Sequence, residues 1–393
     1  MNKKLIAVAV AGALAVPGIA LAQSSVTISG QLKISLDNIN ISGGAGRTGK
    51  TSEMRVADDS SRIIFGVKED LGSGLAAIGQ IDMRAALDAG SLGASGNTFV
   101  GLKSSTMGSL TIGRHDLHYF NRESYLTGKA ASLKADSISI LAYAGGGGTA
   151  IANATRTPNS IKWTSPNWGG FTMIAAYSTN PLGTSENDIN GTSQSAGQGW
   201  NLNPNFKGSN FQVGYSYWKA KSDAIATPAT WAIDQTTGVN TLSAASVSQT
   251  EQRGDRVYGS FRFAGFHIGA AWDKSTITDK VSGSKTSDRN AWSIPIEYAT
   301  GPHNFYFHYD KANKDKGSSF TGGPDSSATM IAAAYVYDLS KRTSVGVTYA
   351  KIDNKEGAAY NFFTTTGGIG SPDAKVNVGE DPRLFALTVR HGF

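Results

Sequence analysis

The feature that most narrows the choice of fold is an alternation of apolar and polar residues with a period of two. In the first run Val26, Ile28, Leu32, Ile34 and Leu36 share one face, and Thr27, Ser29, Gln31, Lys33, Ser35 and Asp37 share the other. Such a period belongs to a β-strand with one apolar face. Ile63, Phe65 and Val67 alternate with Arg62 and Lys68 in a second run, and Ala77, Ile81 and Met83 with Gln80, Asp82 and Arg84 in a third. Farther on the apolar rows are Phe211 to Tyr217, Phe266 to Trp272, Trp292 to Tyr298, Phe305 to Tyr309 and Val345 to Tyr349. A soluble β-sandwich alternates too, but its strands are usually ~5–6 residues long, whereas strands that cross a bilayer need ~9–11. The runs are of the longer kind, and aromatic residues gather at their ends, as at the two interfaces of a membrane barrel.

The N-terminus reads as an export leader. Lys3 and Lys4 precede an apolar stretch over 5–16, Pro17 and Gly18 break it, and Ala20-Leu21-Ala22 offers a small-x-small cleavage site. This pattern predicts a signal peptide over 1–22 and a single barrel domain over 23–393. The stretch is too short to span a bilayer, and no later one approaches the ~20 apolar residues a membrane helix needs. With helices excluded, a membrane-spanning chain must close its strands into a barrel, because only then is every backbone group satisfied in lipid. The sequence contains no Cys, so its stability does not come from disulfides. The formal net charge of +6, or +4 without Lys3 and Lys4, is scattered and too small to indicate nucleic-acid binding.

Between the strands short turns alternate with long loops rich in Gly, Ser and Thr. Turns are expected near 69–74, 104–108, 165–170, 207–210, 264–265, 300–302 and 338–342. Loops are expected near 41–60, 115–156, 180–198, 221–252, 275–287, 313–325 and 353–380. Long loops at one end and short turns at the other are the outer-membrane pattern. About sixteen strands result, with a weak segment near 200–206 where Pro204 interrupts. In the last strand Phe385, Leu387, Val389, His391 and Phe393 share a face, and this strand would pair with the first to close an all-β, antiparallel, up-and-down transmembrane barrel.

Four segments resemble the general porins of Gram-negative bacteria, in particular the betaproteobacterial and neisserial type. They are Ser61-Arg62 through Phe65-Gly66 into Glu69-Asp70-Leu71-Gly72-Ser73-Gly74-Leu75; Thr98-Phe99-Val100-Gly101-Leu102 with Gly108-Ser109-Leu110-Thr111-Ile112-Gly113-Arg114; Asn159-Ser160-Ile161-Lys162-Trp163 with Ser165-Pro166-Asn167-Trp168-Gly169-Gly170-Phe171; and the ending Val389-Arg390-His391-Gly392-Phe393. The resemblance implies a sixteen-stranded barrel in the outer membrane, a homotrimer, and a third loop folded into the barrel. It also implies that Phe393 belongs to the signal read by the insertion machinery. The implied activity is passive diffusion of ions and small hydrophilic solutes.

A pore needs a hydrated path with charges that sort ions, and no catalytic group, metal or cofactor. Alternation places Lys33, Arg62, Arg84 and Lys162 inward, with Arg156 on the parity of Lys162, and the resemblance adds Arg114. The loop after Arg114 supplies Asp116, Glu123 and Asp136 as acidic candidates, and Asp82 offsets part of the wall charge. Basic candidates outnumber acidic ones, which predicts a modest anion preference. A substrate-specific porin for a sugar or organic acid would show an aromatic slide in the lumen, where only Trp218 stands out. An outer-membrane barrel enzyme would need a nucleophile with a partner base, and His267, His303, His308 and His391 have no compelling partners in sequence. A soluble exported lectin-like sandwich would share the leader; heat-stable trimers in detergent, with no aqueous-soluble form, would exclude it. His115 and His118 have metal-like spacing, but no further His or Cys cluster completes a site of four ligands.

Overall fold

The computed structural model describes residues 24–44, 51–122, 129–151, 156–181, 197–222, 246–363 and 376–393, together with the short segments 225–227, 230–233 and 240–243. The expected leader and Glu123 lie outside the described residues. Sixteen antiparallel strands form one closed barrel. β1 is Ser25–Gly43; β2 comprises Ser52–Asp58 and Arg62–Gly72; β3 is Leu75–Ala86; β4 comprises Ser91–Gly93 and Thr98–Ser104. β5 (Gly108–His115), β6 (Thr157–Thr164), β7 (Phe171–Ser178) and β8 (Gly197–Lys207) follow. Next come β9 (Phe211–Ser222), β10 (Thr250–Phe263), β11 (Phe266–Asp279) and β12 (Lys285–Thr300). The last four are β13 (His303–Ala312), β14 (Ala328–Asp338), β15 (Thr343–Asn354) and β16 (Glu380–Gly392). β16 pairs with β1 from Gln31↔Gly392 to Gly43↔Glu380, so the sheet has no edge.

The outer face is the one the alternation assigns. Val26, Ile28, Leu32 and Leu36 are exposed on β1 while Lys33, Ser35 and Asp37 are buried on its inner side. Phe385, Leu387 and Val389 repeat this outward row on β16. The ring pairs Phe206–Phe211 (5.8 Å), Phe263–Phe266 (5.5 Å) and Phe266–Tyr298 (4.6 Å) stand beside the short turns. Tyr177–Trp200 (4.4 Å) and Trp292–Tyr309 (5.3 Å) stand toward the long loops. These are the two interfacial girdles.

Three expectations need correction. The stretch 41–60 is not all loop: Ser52–Asp58 pairs with the upper half of β1, from Asn40↔Ser52 to Ile34↔Asp58. Its apolar signal is only Met54 and Val56, too short to read as a run. The break between the two halves of β2 is held by Asp58, whose carboxylate accepts from Ser60 N at 2.9 Å, with Ser60 at φ +79°. The stretch 275–287 is mostly strand, because β11 continues to Asp279 and β12 starts at Lys285. And 200–206 is an ordinary part of β8. Pro204 opposes Met173 on one side and falls on the other in a gap of the ladder, between Leu202↔Tyr217 and Asn205↔Gly214. Pro295 likewise sits where the β11–β12 ladder skips from Ile268↔Ile296 to Ala271↔Ser293. A residue without an N–H is tolerated where no ladder bond is asked of it.

Candidate functional site: the infolded loop and its charged wall

The connection from β5 to β6 turns into the barrel. Ala130, Ala131, Ala135, Ile138, Ile140 and Leu141 are all buried there. It packs on an inner wall of small residues from the second half of the barrel: Ala271, Ala291, Ala312, Ala328, Ala332 and Ala350. Alanine on these inward positions leaves room for a second layer of chain inside the cylinder.

Buried charges peg the loop to this wall. The Arg256 guanidinium donates to the carbonyls of His118 (3.0 Å), Tyr119 (3.3 Å), Asn121 (3.4 Å) and Leu141 (3.1 Å). Arg289 donates to those of Ile140 (2.7 Å) and Leu141 (3.1 Å). Asp273 lies between them, 2.9 Å from Arg256 and 3.1 Å from Arg289. On the other flank Asp59 accepts from Leu133 N at 3.0 Å and pairs with Lys33 at 3.2 Å, while Lys134 reaches Asp37 at 3.1 Å. A loop whose carbonyls all found water would have no reason to enter; here buried guanidinium groups replace that water.

The other half of the lumen is charged and partly open to solvent. Arg62 approaches Asp82 at 3.7 Å, with 27% of its side chain exposed. Arg84 lies 3.4 Å from the same carboxylate. Within electrostatic reach of Arg84 and Asp82, Arg156 at the end of the infolded loop pairs with Asp116 at 3.2 Å. Asp116 also accepts from Asn97 Nδ2 at 2.5 Å and from the Tyr119 hydroxyl. Burial alone would raise the Asp116 pKa, but Arg156 and the two hydrogen bonds overcome it and hold the group below the ordinary carboxylate range. Arg114 is within electrostatic reach of Asp116, Tyr119 and Arg156. Lys162 lies 5.9 Å from the centre of the Phe99 ring, on the same wall.

Arg114 breaks the alternation. Leu110 and Ile112, on its parity, are exposed to the outside. Gly113, at φ +149°, and a register shift between Thr157 and Ser160 on β6 form a bulge there that turns the next side chain inward. Only glycine fits: a Cβ on Gly113 would stand 2.2 Å from the Thr98 carbonyl oxygen.

Of the residues singled out from the sequence, Arg62, Arg84, Arg114, Arg156, Lys162 and Asp116 thus come together, with Asp82 among them. Lys33 and Asp136 do not join them. Lys33 is fully buried against Asp59, and Asp136 is fully buried within the loop, 2.9 Å from Arg122. Asn97 and Tyr119, which fix Asp116, carry no motif that would have marked them. His115 and His118 are not a metal pair: His115 bonds Thr111 and Ser160, and His118 bonds Ser216. Among the described residues no three His, Cys, Asp or Glu side chains converge as a metal site. The C-terminal Phe393 exchanges backbone hydrogen bonds with Gly30 at 3.1 and 3.2 Å, so the chain's end is stitched into the first strand.

A family profile of Gram-negative porins matches residues 7–357. The chain belongs to the Gram-negative porin family. It is an outer-membrane β-barrel. Its structure is similar to that of an anion-selective porin from Comamonas acidovorans, with a TM-score of 0.68 at 18% identity over 94% of this chain and 100% of that one. It is also similar to OmpT, an outer-membrane protein of Vibrio cholerae (TM-score 0.63, 15% identity, 94% and 99% covered), and to OmpF of Salmonella typhi (0.57, 15%, 94% and 97%). At these identities the likeness concerns the fold. No curated protein sequence matches the chain.

Proposed function

We propose that this porin is a general diffusion channel for ions and small hydrophilic solutes with a mild preference for anions. The observation that carries the preference is the composition of the charged wall. Arg62, Arg84, Arg114, Arg156 and Lys162 face only Asp82 and Asp116 among the described residues. Of the acidic counterweights expected on the loop, Asp136 is spent on Arg122. A solute passing this cluster meets Arg62, with 27% of its side chain exposed, backed by the more deeply placed Arg84 and Arg156, a positive field that attracts an anion. The Comamonas protein named above, which shares the fold, is anion-selective.

The same reading takes 1–22 as a cleaved leader, the protein as a homotrimer, and Phe393 as part of the insertion signal. In support of the trimer, an outward apolar groove of about 510 Å³, lined by Leu36, Val56, Tyr337, Val347 and Leu387 among others, runs along the seam where β16 meets β1. No chemistry is assigned to the channel.

The test is the zero-current potential of purified protein in a planar bilayer across a KCl gradient. The expected sign is that of chloride passing more readily than potassium, with channels appearing in threes. Arg62→Glu/Arg84→Glu should reverse the sign. A wild-type channel that prefers potassium would leave the porin intact and overturn the role given to this wall.

A further inference from the structure

We propose that the lumen carries a subsite for aromatic carboxylates, in which the Phe120 ring receives the arene and the arginines of the charged wall receive the carboxylate. This subsite rests on the basic wall of the proposed function, which must first draw the anion in; the ring is what it adds. Trp218, the aromatic residue that stands out on the inner parity of the sequence, is fully buried and offers a solute nothing. Phe120, by contrast, is 44% exposed, and among the described residues of the infolded loop it is the one large apolar side chain left exposed.

Phe120 owes its place to the seating of the loop. It closes a single helical turn, His118–Phe120, near the loop's start. On either side of it Arg256 takes the carbonyls of His118, Tyr119 and Asn121. His118 Nδ1 and Asn121 Nδ2 both meet Ser216 Oγ, each at 2.9 Å. These contacts turn the flanking residues toward β9 and β10, with His118 and Tyr119 buried, and leave the Phe120 side chain on the water side. The Arg122 guanidinium lies over one face of the ring, 5.0 Å from its centre, and is itself paired with Asp136. That face is covered by a neutralised cation, so the exposure belongs to the rest of the ring.

The cations stand close by. The Tyr119 ring is 6.0 Å from that of Phe120, and its hydroxyl donates to Asp116, the partner of Arg156. Tyr119 is also within electrostatic reach of Arg84 and Arg114. On the wall Asn97 holds the same carboxylate, and two residues along its strand Phe99 is partly buried, with His115 stacked on it at 5.3 Å and Lys162 near its ring. Aromatic rings and cations are thus gathered around Asp116. A small inorganic anion gains nothing from a ring. An arene carboxylate uses both elements: its ring sheds water against Phe120 in an offset or edge contact, and its carboxylate accepts parallel N–H bonds from a guanidinium. A saturated ring of the same size and charge lacks the flat face and the quadrupole that such a contact needs.

The experiment is recording of chloride current through the full-length channel, with benzoate, cyclohexanecarboxylate or acetate added to one side. Benzoate should halve the current at a concentration about threefold to tenfold lower than either of the other two. Phe120→Ala and Phe120→Leu should abolish that ratio, and Phe120→Tyr, which keeps a ring, should preserve it. Each ratio is taken within one variant, so a change in conductance does not enter it, and only folded, inserted channels are recorded. Failure here is distinguishable from failure of the basic wall. A zero-current potential of the potassium-preferring sign would overturn the wall and this subsite with it. In a chloride-preferring channel, equal potency of the three anions, or a benzoate ratio unchanged in Phe120→Ala, overturns the subsite alone.

Discussion

Replacing Arg256 by Met should unseat the infolded loop without opening the barrel. Arg256 is fully buried and holds Asp273 at 2.9 Å together with the carbonyls of His118, Tyr119, Asn121 and Leu141. Met fills most of the volume but donates nothing, so a carboxylate and four carbonyls lose a charged partner. Removing one member of a buried, hydrogen-bonded charge pair typically costs ~3–5 kcal/mol. Arg289 still reaches Asp273 and Leu141, which keeps the cost toward the lower end. At ~1.4 kcal/mol per decade, the unseated population rises by about two to three orders of magnitude. The strand ladders do not involve this side chain, so the barrel should keep its heat-shifted migration in gels. The assay is single-channel recording, where larger or flickering conductance steps are expected. Quiet channels of wild-type size from Arg256→Met would refute the claim that this guanidinium seats the loop.

Asp116→Asn should raise the chloride-to-potassium permeability ratio, since it frees Arg156 from its 3.2 Å partner while leaving the Asn97 and Tyr119 contacts in reach. The pH dependence has a definite sign. Asp116 is held below the ordinary carboxylate range, so its ion pair is intact above that range and is lost only as pH falls through the lower folded-state value. The wild type should therefore gain anion preference in strong acid and Asp116→Asn should not; a matching acid step in both would assign it to another group. Gly113→Ala should cost about 2–5 kcal/mol, combining a φ of +149° with a Cβ 2.2 Å from the Thr98 oxygen. A urea midpoint equal to the wild type's would contradict this.

The outer surface of this protein was legible in its sequence and the lumen only in part, and the reason is the solvent on each side. Lipid accepts no polar group, so every second residue from Val26 to Leu36 and from Phe385 to Val389 must be apolar, and the pattern shows. Water accepts nearly anything, so the inner parity carries lysine, alanine and tryptophan alike. Arg62 and Arg84 could be read inward from their neighbours. Arg114 could not, because the bulge at Gly113 reverses its parity; only the resemblance of the Gly113-Arg114 segment found it. Ser52–Asp58 was missed because two apolar residues do not make a period.

The partners inside the barrel were the least legible of all, and this bears on how the charge of the lumen is divided. Counting Lys33 and Asp136 as pore-lining treats every inward charge as wet. The infolded loop makes that untrue, since it covers Lys33 and holds Asp136 within itself. Charges under the loop are held in direct contacts, because an unpartnered one would be too costly to bury: Lys33 meets Asp59, and Arg256 and Arg289 share Asp273 and donate to the loop's carbonyls. On the other side Arg62, Arg84 and Arg156 stand with Asp82 and Asp116, and Arg62 is the most exposed of these arginines, with 27% of its side chain open. The charges a solute meets therefore depend on where the loop sits, and a change in its seat, as in Arg256→Met, should alter selectivity as well as width.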